Sequence, residues 1–301
     1  MEQRLLSVYD KEATEEFTLL KESLTACTRF IVVAGAGIST SAGIADFKDP
    51  SGLAQRFGGK LNLSEAVYHN NARLEAFHEF LREACVQASA SNPTPFHHWV
   101  DALARDRRLV RLYTQNIDGL ELRLPYLFTQ TPLTTSGPWP NTIQLHGTLH
   151  YSQCTKNGHV LPTDLSLFVG NTPPVCRLCE IAEDERVAAG KRGRNPGGLR
   201  PRILLYDQEA DWENESIGKV HAHDLEAMPD ALIVAGTALD VPGARDLVRS
   251  MAEVVRKNIG LAIWINKELP KQNVMACFDI VLKGTCDDFA RLADMLGGEN
   301  W

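Results

Sequence analysis

Residues 30–39 read Phe30-Ile31-Val32-Val33-Ala34-Gly35-Ala36-Gly37-Ile38-Ser39. An unbroken apolar run centred on Ile and Val predicts a strand buried on both faces, which is the habit of a parallel sheet. The run stops abruptly at small residues. A strand that passes through small residues into a helix lets backbone N–H groups come close to a phosphate. The third glycine of the usual dinucleotide fingerprint is Thr40 here. Tight strand-to-helix packing therefore explains the glycines equally well, and both readings stand.

Working outward, similar apolar runs recur at 109–113, 203–206, 231–235, 261–265 and 280–282. Stretches of helical period lie between several of them, for example 65–88 and 244–257. Strands alternating with helices predict an α/β fold with a doubly wound parallel sheet, whose chemistry sits in loops at the carboxyl ends of the strands. That rule directs attention to the residues just after 34, 113, 145, 206, 235, 265 and 283. The segment from about 150 to 200 differs. It is rich in proline and glycine and shows few strong strand or helix signals. It holds the clustered Cys154, Cys176 and Cys179, while the other four of the seven cysteines are scattered. Clustered cysteines in a reducing compartment more often hold a metal than a disulfide, so this segment is expected to be a small inserted module that needs a metal to fold. Its basic end, with Lys191, Arg192, Arg194, Arg200 and Arg202, is expected to be a solvated charge run.

The chain has 301 residues, enough for one large domain or for one large and one small domain. With 44% hydrophobic and 23% charged residues it has the composition of an ordinary globular protein. No apolar run is long enough to cross a bilayer, and residues 1–10 carry no secretory signal, so neither membrane partners nor oxidised cysteines are expected. A formal net charge of −7 argues against direct nucleic-acid binding and suits a basic protein substrate.

Polar residues then cluster at the predicted strand ends. Gly43-Ile44-Ala45-Asp46-Phe47-Lys48 follows the glycine loop. Its aromatic ring between charged residues has no obvious core role. Gln115-Asn116-Ile117-Asp118 can hydrogen-bond a carboxamide and a ribose, or can cap a helix. Leu145-His146-Gly147 places a histidine at a strand end. Gly236-Thr237 and Asn266 end two later strands.

In family order, these motifs resemble the sirtuin family. The resemblance extends from about residue 27 to 290 and takes in Thr114 to Asp118, His146-Gly147, the cysteine module, Leu199-Arg200-Pro201-Arg202, Gly236-Thr237, Asn266 and Gly284-Thr285-Cys286-Asp287. The pattern of Gly190-Lys191-Arg192 before Leu199-Arg200-Pro201 looks most like the fungal nuclear branch, whose members act on histone H3. The resemblance implies a Rossmann-like NAD-binding domain from residues 1–52, 96–149 and 200–301. A helical insertion at 53–95 and a zinc-binding module at 150–199 would form the small domain. It implies an NAD-dependent protein-lysine deacetylase that releases nicotinamide and O-acetyl-ADP-ribose, acts on histone tails or cores, and is nuclear or otherwise cytoplasmic.

Residue roles follow from the resemblance. His146 would be the general base on a ribose hydroxyl, since histidine titrates near the working pH. Asn116, counted with it among the catalytic residues, would grip the carboxamide of NAD together with Ile117 and Asp118, and Gln115 would hold the ribose. Ala34, Gly35 and Ala36 would line the phosphate site, with Asp46 and Lys48 in the same cofactor loop. Phe47 would cover the anomeric carbon. Gly236, Thr237, Asn266 and Cys286 would contact the adenosine half. The backbones near Tyr206 and Val241 would pair with an extended substrate peptide. No Tyr-x-x-Arg pair lies between 65 and 88, so acetyl is the default acyl group.

Several positions depart from the family: Ala45 for proline, Lys48 for arginine, Ala238 for serine, and Asp207-Gln208 for glycine–glutamate. The first Cys-x-x-Cys pair reads Cys154-Thr155-Lys156-Asn157, which leaves zinc one thiolate short. His159 is the expected fourth ligand; His150, water and a metal-free module are the alternatives. Two other functions stay open. One is a weakly catalytic NAD-sensing module that binds chromatin; the other is a protein ADP-ribosyltransferase.

Overall fold

The computed structural model describes residues 4–7, 14–46, 48–59, 63–208 and 214–297. Its strands in chain order are β1 (Arg4–Ser7), β2 (Phe30–Ala34), β3 (Leu109–Thr114), β4 (Thr142–Gln144), β5 (Gly147–Cys154), β6 (Val160–Pro162), β7 (Leu199–Ile203), β8 (Ala231–Ala235), β9 (Leu261–Asn266) and β10 (Ile280–Lys283). Its helices are α1 (Thr14–Ala26), α2 (Leu53–Arg56), α3 (Asn71–Ala90), α4 (Pro95–Arg105), α5 (Arg177–Ala188), α6 (Asn214–Glu226), α7 (Pro242–Lys257), α8 (Gln272–Met275) and α9 (Cys286–Gly297).

Seven strands form one sheet in the order β1-β10-β9-β8-β2-β3-β4, and every pairing is parallel. The expected doubly wound sheet is present, and the apolar runs explain why. Successive side chains of a strand point to opposite faces. Phe30, Val32 and Ala34 enter one core with α1, α4 and α9, while Ile31 and Val33 enter the other with α6, α7 and α8. On α7, Ala244, Leu247, Val248, Met251, Ala252 and Val255 make a stripe at helical spacing that covers the second face. From β2 the chain builds outward through β3 and β4 on one side and through β8, β9 and β10 on the other. The crevice beyond the carboxyl ends of β2, β3 and β8 is therefore the topological switch point, where such sheets bind ligands.

A second sheet, antiparallel in the order β6-β5-β7, belongs to a separate lobe. This corrects two sequence expectations. The apolar run at 203–206 is not a strand of the parallel sheet: Ile203 ends β7, Leu205 enters the small lobe's core, and Tyr206 forms a single bridge with Ser64. Segment 150–200 is also more regular than its composition signals, since it contains most of β5, all of β6 and a twelve-residue α5. Its core is shared. Val67, Leu74, Phe77, Phe80 and Leu81 from the stretch before residue 95 pack with Leu149, Phe168, Leu199 and the three clustered cysteines. His78 on α3 bonds the carbonyl of Gly170 at 2.9 Å, and Arg82 donates to that of Phe168. The helical stretch expected over 65–88 is divided: a 3₁₀ turn at Glu65–His69 precedes α3, whose N-cap Asn70 accepts from the Arg73 amide.

Candidate active site

Loop amides stitch the carboxyl ends of the parallel strands together. Gly35 donates to the carbonyl of Ala235 and Gly37 to that of Gly236. Gln115 donates to Ala34, Leu145 to Thr114, and Gly236 to Ile265, all at 2.8–3.0 Å. The loops after β2 and β8 touch through their backbones. A Cβ on Gly37 would lie 2.6 Å from the Gly236 Cα, and one on Gly35 would lie 2.7 Å from the Thr237 Cβ. Close packing thus accounts for the glycines themselves. The amides of Gly35, Gly37, Ile38 and Ser39 all donate to backbone carbonyls, so the loop is not an open ring of N–H donors.

Side chains converge on this edge. Gln115 Nε2 donates to Thr237 Oγ1 at 3.0 Å, and Asn266 Nδ2 donates to the Thr237 carbonyl at 2.8 Å. The buried Asn116 donates from Nδ2 to Ser39 Oγ at 3.2 Å. Asp118 accepts from the Leu120 amide at 3.1 Å, so it organises its own loop. Burial raises its carboxyl above the usual range, while the Leu120 amide and the Ser39 hydroxyl pull it back.

His146 sits where the two lobes meet. Its Nδ1 lies 2.9 Å from the Gln115 carbonyl, which can only accept. Nδ1 therefore carries the proton, and Nε2 keeps a lone pair. Burial holds the imidazole below its ordinary value of 6.5, against the smaller effect of that carbonyl, so the ring is neutral at neutral pH. Gly147 beside it has φ +75°, and an added Cβ would fall 1.9 Å from the Arg202 carbonyl on β7. Only glycine lets β7 cross there.

The structure brings together most of the residues expected at the site and relocates some contacts. Ala34, Gly35, Ala36, Gln115, Asn116, Ile117, Asp118, His146, Gly236, Thr237 and Asn266 share the switch-point edge. Asp46 accepts from the amides of Lys48 and Asp49, forming its own turn. Lys48 pairs with Asp240 at 3.5 Å. Cys286 is 4% exposed and packs in the first core, where burial pushes its thiol up to about 12; its thiol is not offered to the cleft. Tyr206 already uses both backbone groups, its amide on Leu63 and its carbonyl on Glu65. Phe47 lies outside the described residues. Sequence reading missed Ser39, although it closes the motif that decides the fold, and Asp240, which no motif marked.

In the small lobe, Cys154, His159, Cys176 and Cys179 place one donor atom each within 4.8 Å of the others. Cys154 and Cys179 sulfurs lie 3.5 Å apart, and His159 Nδ1 lies 3.4 Å and 3.7 Å from the sulfurs of Cys176 and Cys179. Tetrahedral zinc with Zn–S near 2.3 Å and Zn–N near 2.0 Å needs edges of roughly 3.5–3.8 Å, so the donor set fits. Asn157 stands outside the tetrahedron and donates from Nδ2 to Cys179 at 3.1 Å. His150, the alternative ligand, is not among the four; it packs over Gly119.

The Sir2 family model matches residues 35–243, and the chain belongs to that family. Within it, the chain is similar to fungal proteins. It is 39% identical over 291 residues to NAD-dependent protein deacetylase hst4 of Schizosaccharomyces pombe, covering 94% of this chain and 70% of that protein. It is 34% identical over 318 residues to NAD-dependent histone deacetylase HST4 of Saccharomyces cerevisiae, covering 96% and 85%. Against hst4 of Emericella nidulans the identity is 42% over 290 residues, but the chain spans only 49% of that protein's length. The expected fungal branch is thus borne out. A crystal structure of a Sir2 homologue in complex with NAD superposes with a TM-score of 0.71 at 20% identity, covering 100% of this chain and 98% of that one. That likeness confirms the fold.

Proposed function

We propose that this chain removes acetyl groups from lysines of a histone, consuming NAD, in the cleft between the parallel-sheet domain and the small lobe. The single observation that carries the reading is the state of His146: neutral, with Nδ1 fixed on the Gln115 carbonyl and Nε2 left basic at the switch point. A base so oriented can take a proton from a ribose hydroxyl. NAD, when bound, supplies an electrophilic ribose carbon from which nicotinamide departs. Asp118 would accept from the carboxamide N–H, Asn116 would donate to its oxygen, Gln115 would hold the ribose, and Thr237 would contact the adenosine half. The glycine loop and Asn266 shape the rest of the groove. The small domain is taken as 53–95 and 150–199, extended by the ends of β5 and β7 and by Leu205, which pair and pack within it.

Cys154, Cys176, Cys179 and His159 would hold a structural zinc, which supplies no reaction chemistry there. The acidic chain, at −7, suits a basic histone segment, and the histone deacetylase named above as a relative supports that substrate and a nuclear location.

The test is to incubate the protein with NAD and acetylated histone H3 peptides. The reading requires nicotinamide release together with loss of the acetyl mass from the peptide. Nicotinamide release with a gain of mass on protein would instead make it an ADP-ribosyltransferase, and binding of NAD without turnover would make it a sensor.

A further inference from the structure

Three residues beyond Asp118, Glu121 is fully buried at 0% exposure. The donors to its carboxyl are its own backbone amide and, in a long contact of 3.5 Å to Oε1, Gln144 Nε2; its Oε2 has no hydrogen-bond partner. A carboxylate ionised in that setting would be a buried charge without compensation, which is strongly unfavourable. Burial pushes the Glu121 carboxyl from its ordinary 4.5 up to about 8, and the charge of Asp118 adds to the rise.

Two neighbouring carboxyls in a dry interior titrate as a pair and keep one proton between them. The surroundings decide which of the two holds it. Asp118 faces the Leu120 amide and the Ser39 hydroxyl, with Arg123 on its own loop and His150 on β5 as the nearby cationic or titratable groups. Arg123 is itself anchored on the carbonyls of Ala88 and Ser91. Glu121 faces Asp118 from its own loop, its own amide, and the neutral Gln144 from β4. Donors favour the ionised form at Asp118, and their scarcity favours the neutral form at Glu121.

We propose that Glu121 is a positioning residue for the carboxamide pocket: it carries the pair's single proton and so holds Asp118 ionised, as the acceptor for an amide N–H of nicotinamide. This rests on the reading of Asp118 as the carboxamide acceptor. It has a consequence for regulation of the reaction by its own product. Nicotinamide entering the pocket displaces water from the pair and makes a second negative charge still less favourable. Linkage then requires nicotinamide to bind more weakly once the proton leaves.

The experiment has two arms. Carboxyl-¹³C NMR of the purified chain, labelled at glutamate, should show one Glu resonance that titrates near pH 8 and is missing from Glu121→Gln. Nicotinamide affinity, read by inhibition and by direct calorimetry, should fall about fivefold from pH 7 to pH 9 in the wild type, within the tenfold per unit that one titration allows. In Glu121→Gln it should stay level across the same range. An ionised Glu121 at pH 7 overturns the proposal, as does an identical pH profile in the two proteins. Should Glu121→Gln fail to fold, the NMR titration of the wild type decides alone. If the wild type binds nicotinamide but deacetylates nothing, the proposed function fails while both arms still read the carboxyl pair.

Discussion

The two lobes hold themselves together by different means. In the parallel-sheet lobe, β2 and β8 are completely buried, and two apolar cores flank them. Each Val, Leu or Ile so placed contributes roughly 1.5–3 kcal/mol from burial alone. The small lobe has one core, and Cys154, Cys176 and Cys179 are part of it. Its helix α5 leaves Leu178 and Ile181 largely exposed, at 42% and 46%. A lobe whose interior includes four metal-donor side chains is expected to rely on the bound metal for order. Between them hangs His146. The sheet lobe fixes its ring through Gln115, and its carbonyl accepts from Leu204 just beyond β7. The setting of His146 therefore depends on one wall with its own apolar cores and on another that shares its core with the cysteine cluster.

His146→Ala should break the site and spare both lobes. Loss of a general base predicts a fall in kcat of about a thousandfold, with the melting temperature unchanged; a small loss of rate would remove His146 from the base role. Met251→Ala should do the reverse, with about 2–5 kcal/mol lost from global unfolding and KM for NAD unaffected, since the cavity opens in the second core far from the cleft. Denaturant titration checks it. Asp118→Asn should weaken nicotinamide inhibition about tenfold, as expected for a hydrogen bond to a charged group, while ADP-ribose affinity stays within about twofold; equal losses would make Asp118 only a loop cap. The acid limb of kcat/KM should lie below 6.5, because burial lowers His146 and activity is lost only when the ring gains a proton.

The smallest effect concerns stability against pH. Glu121 binds its proton more tightly folded than unfolded, so its contribution is fully present below pH 4.5 and is lost as pH rises towards about 8. Glu121→Gln should flatten that part of the melting profile, and an unchanged slope would show that the burial has no such cost.

The same contrast explains what could be read from the sequence. The inner strands of the sheet were legible because a strand buried on both faces is a continuous apolar run. β1 was not, because Arg4–Ser7 is a short edge strand with exposed residues. β5 mixes buried and exposed positions within Gly147–Cys154 and carries no apolar run. In the cleft, His146 and the Gln115–Asp118 stretch stood out by type and spacing. Glu121 did not, because an acidic residue near a turn looks like an exposed one until the fold buries it beside Gln144 of β4. His159 was inferred from a missing thiol at Asn157, whereas Asn157's own hydrogen bond to Cys179 is a property of the folded loop alone.

The contrast between a self-sufficient sheet and a metal-dependent lobe is tested most directly by hydrogen exchange on protein with and without its zinc, with metal content measured in parallel. The account predicts about one zinc per chain, retained in His150→Ala and reduced in His159→Ala. On removal of zinc, protection should collapse across β5, α5 and β7 and weaken in α3, which shares their core, while β2, β8 and β9 keep theirs. Metal-free protein that protects α5 and β5 as well as before, or that loses protection evenly across both lobes, would contradict it.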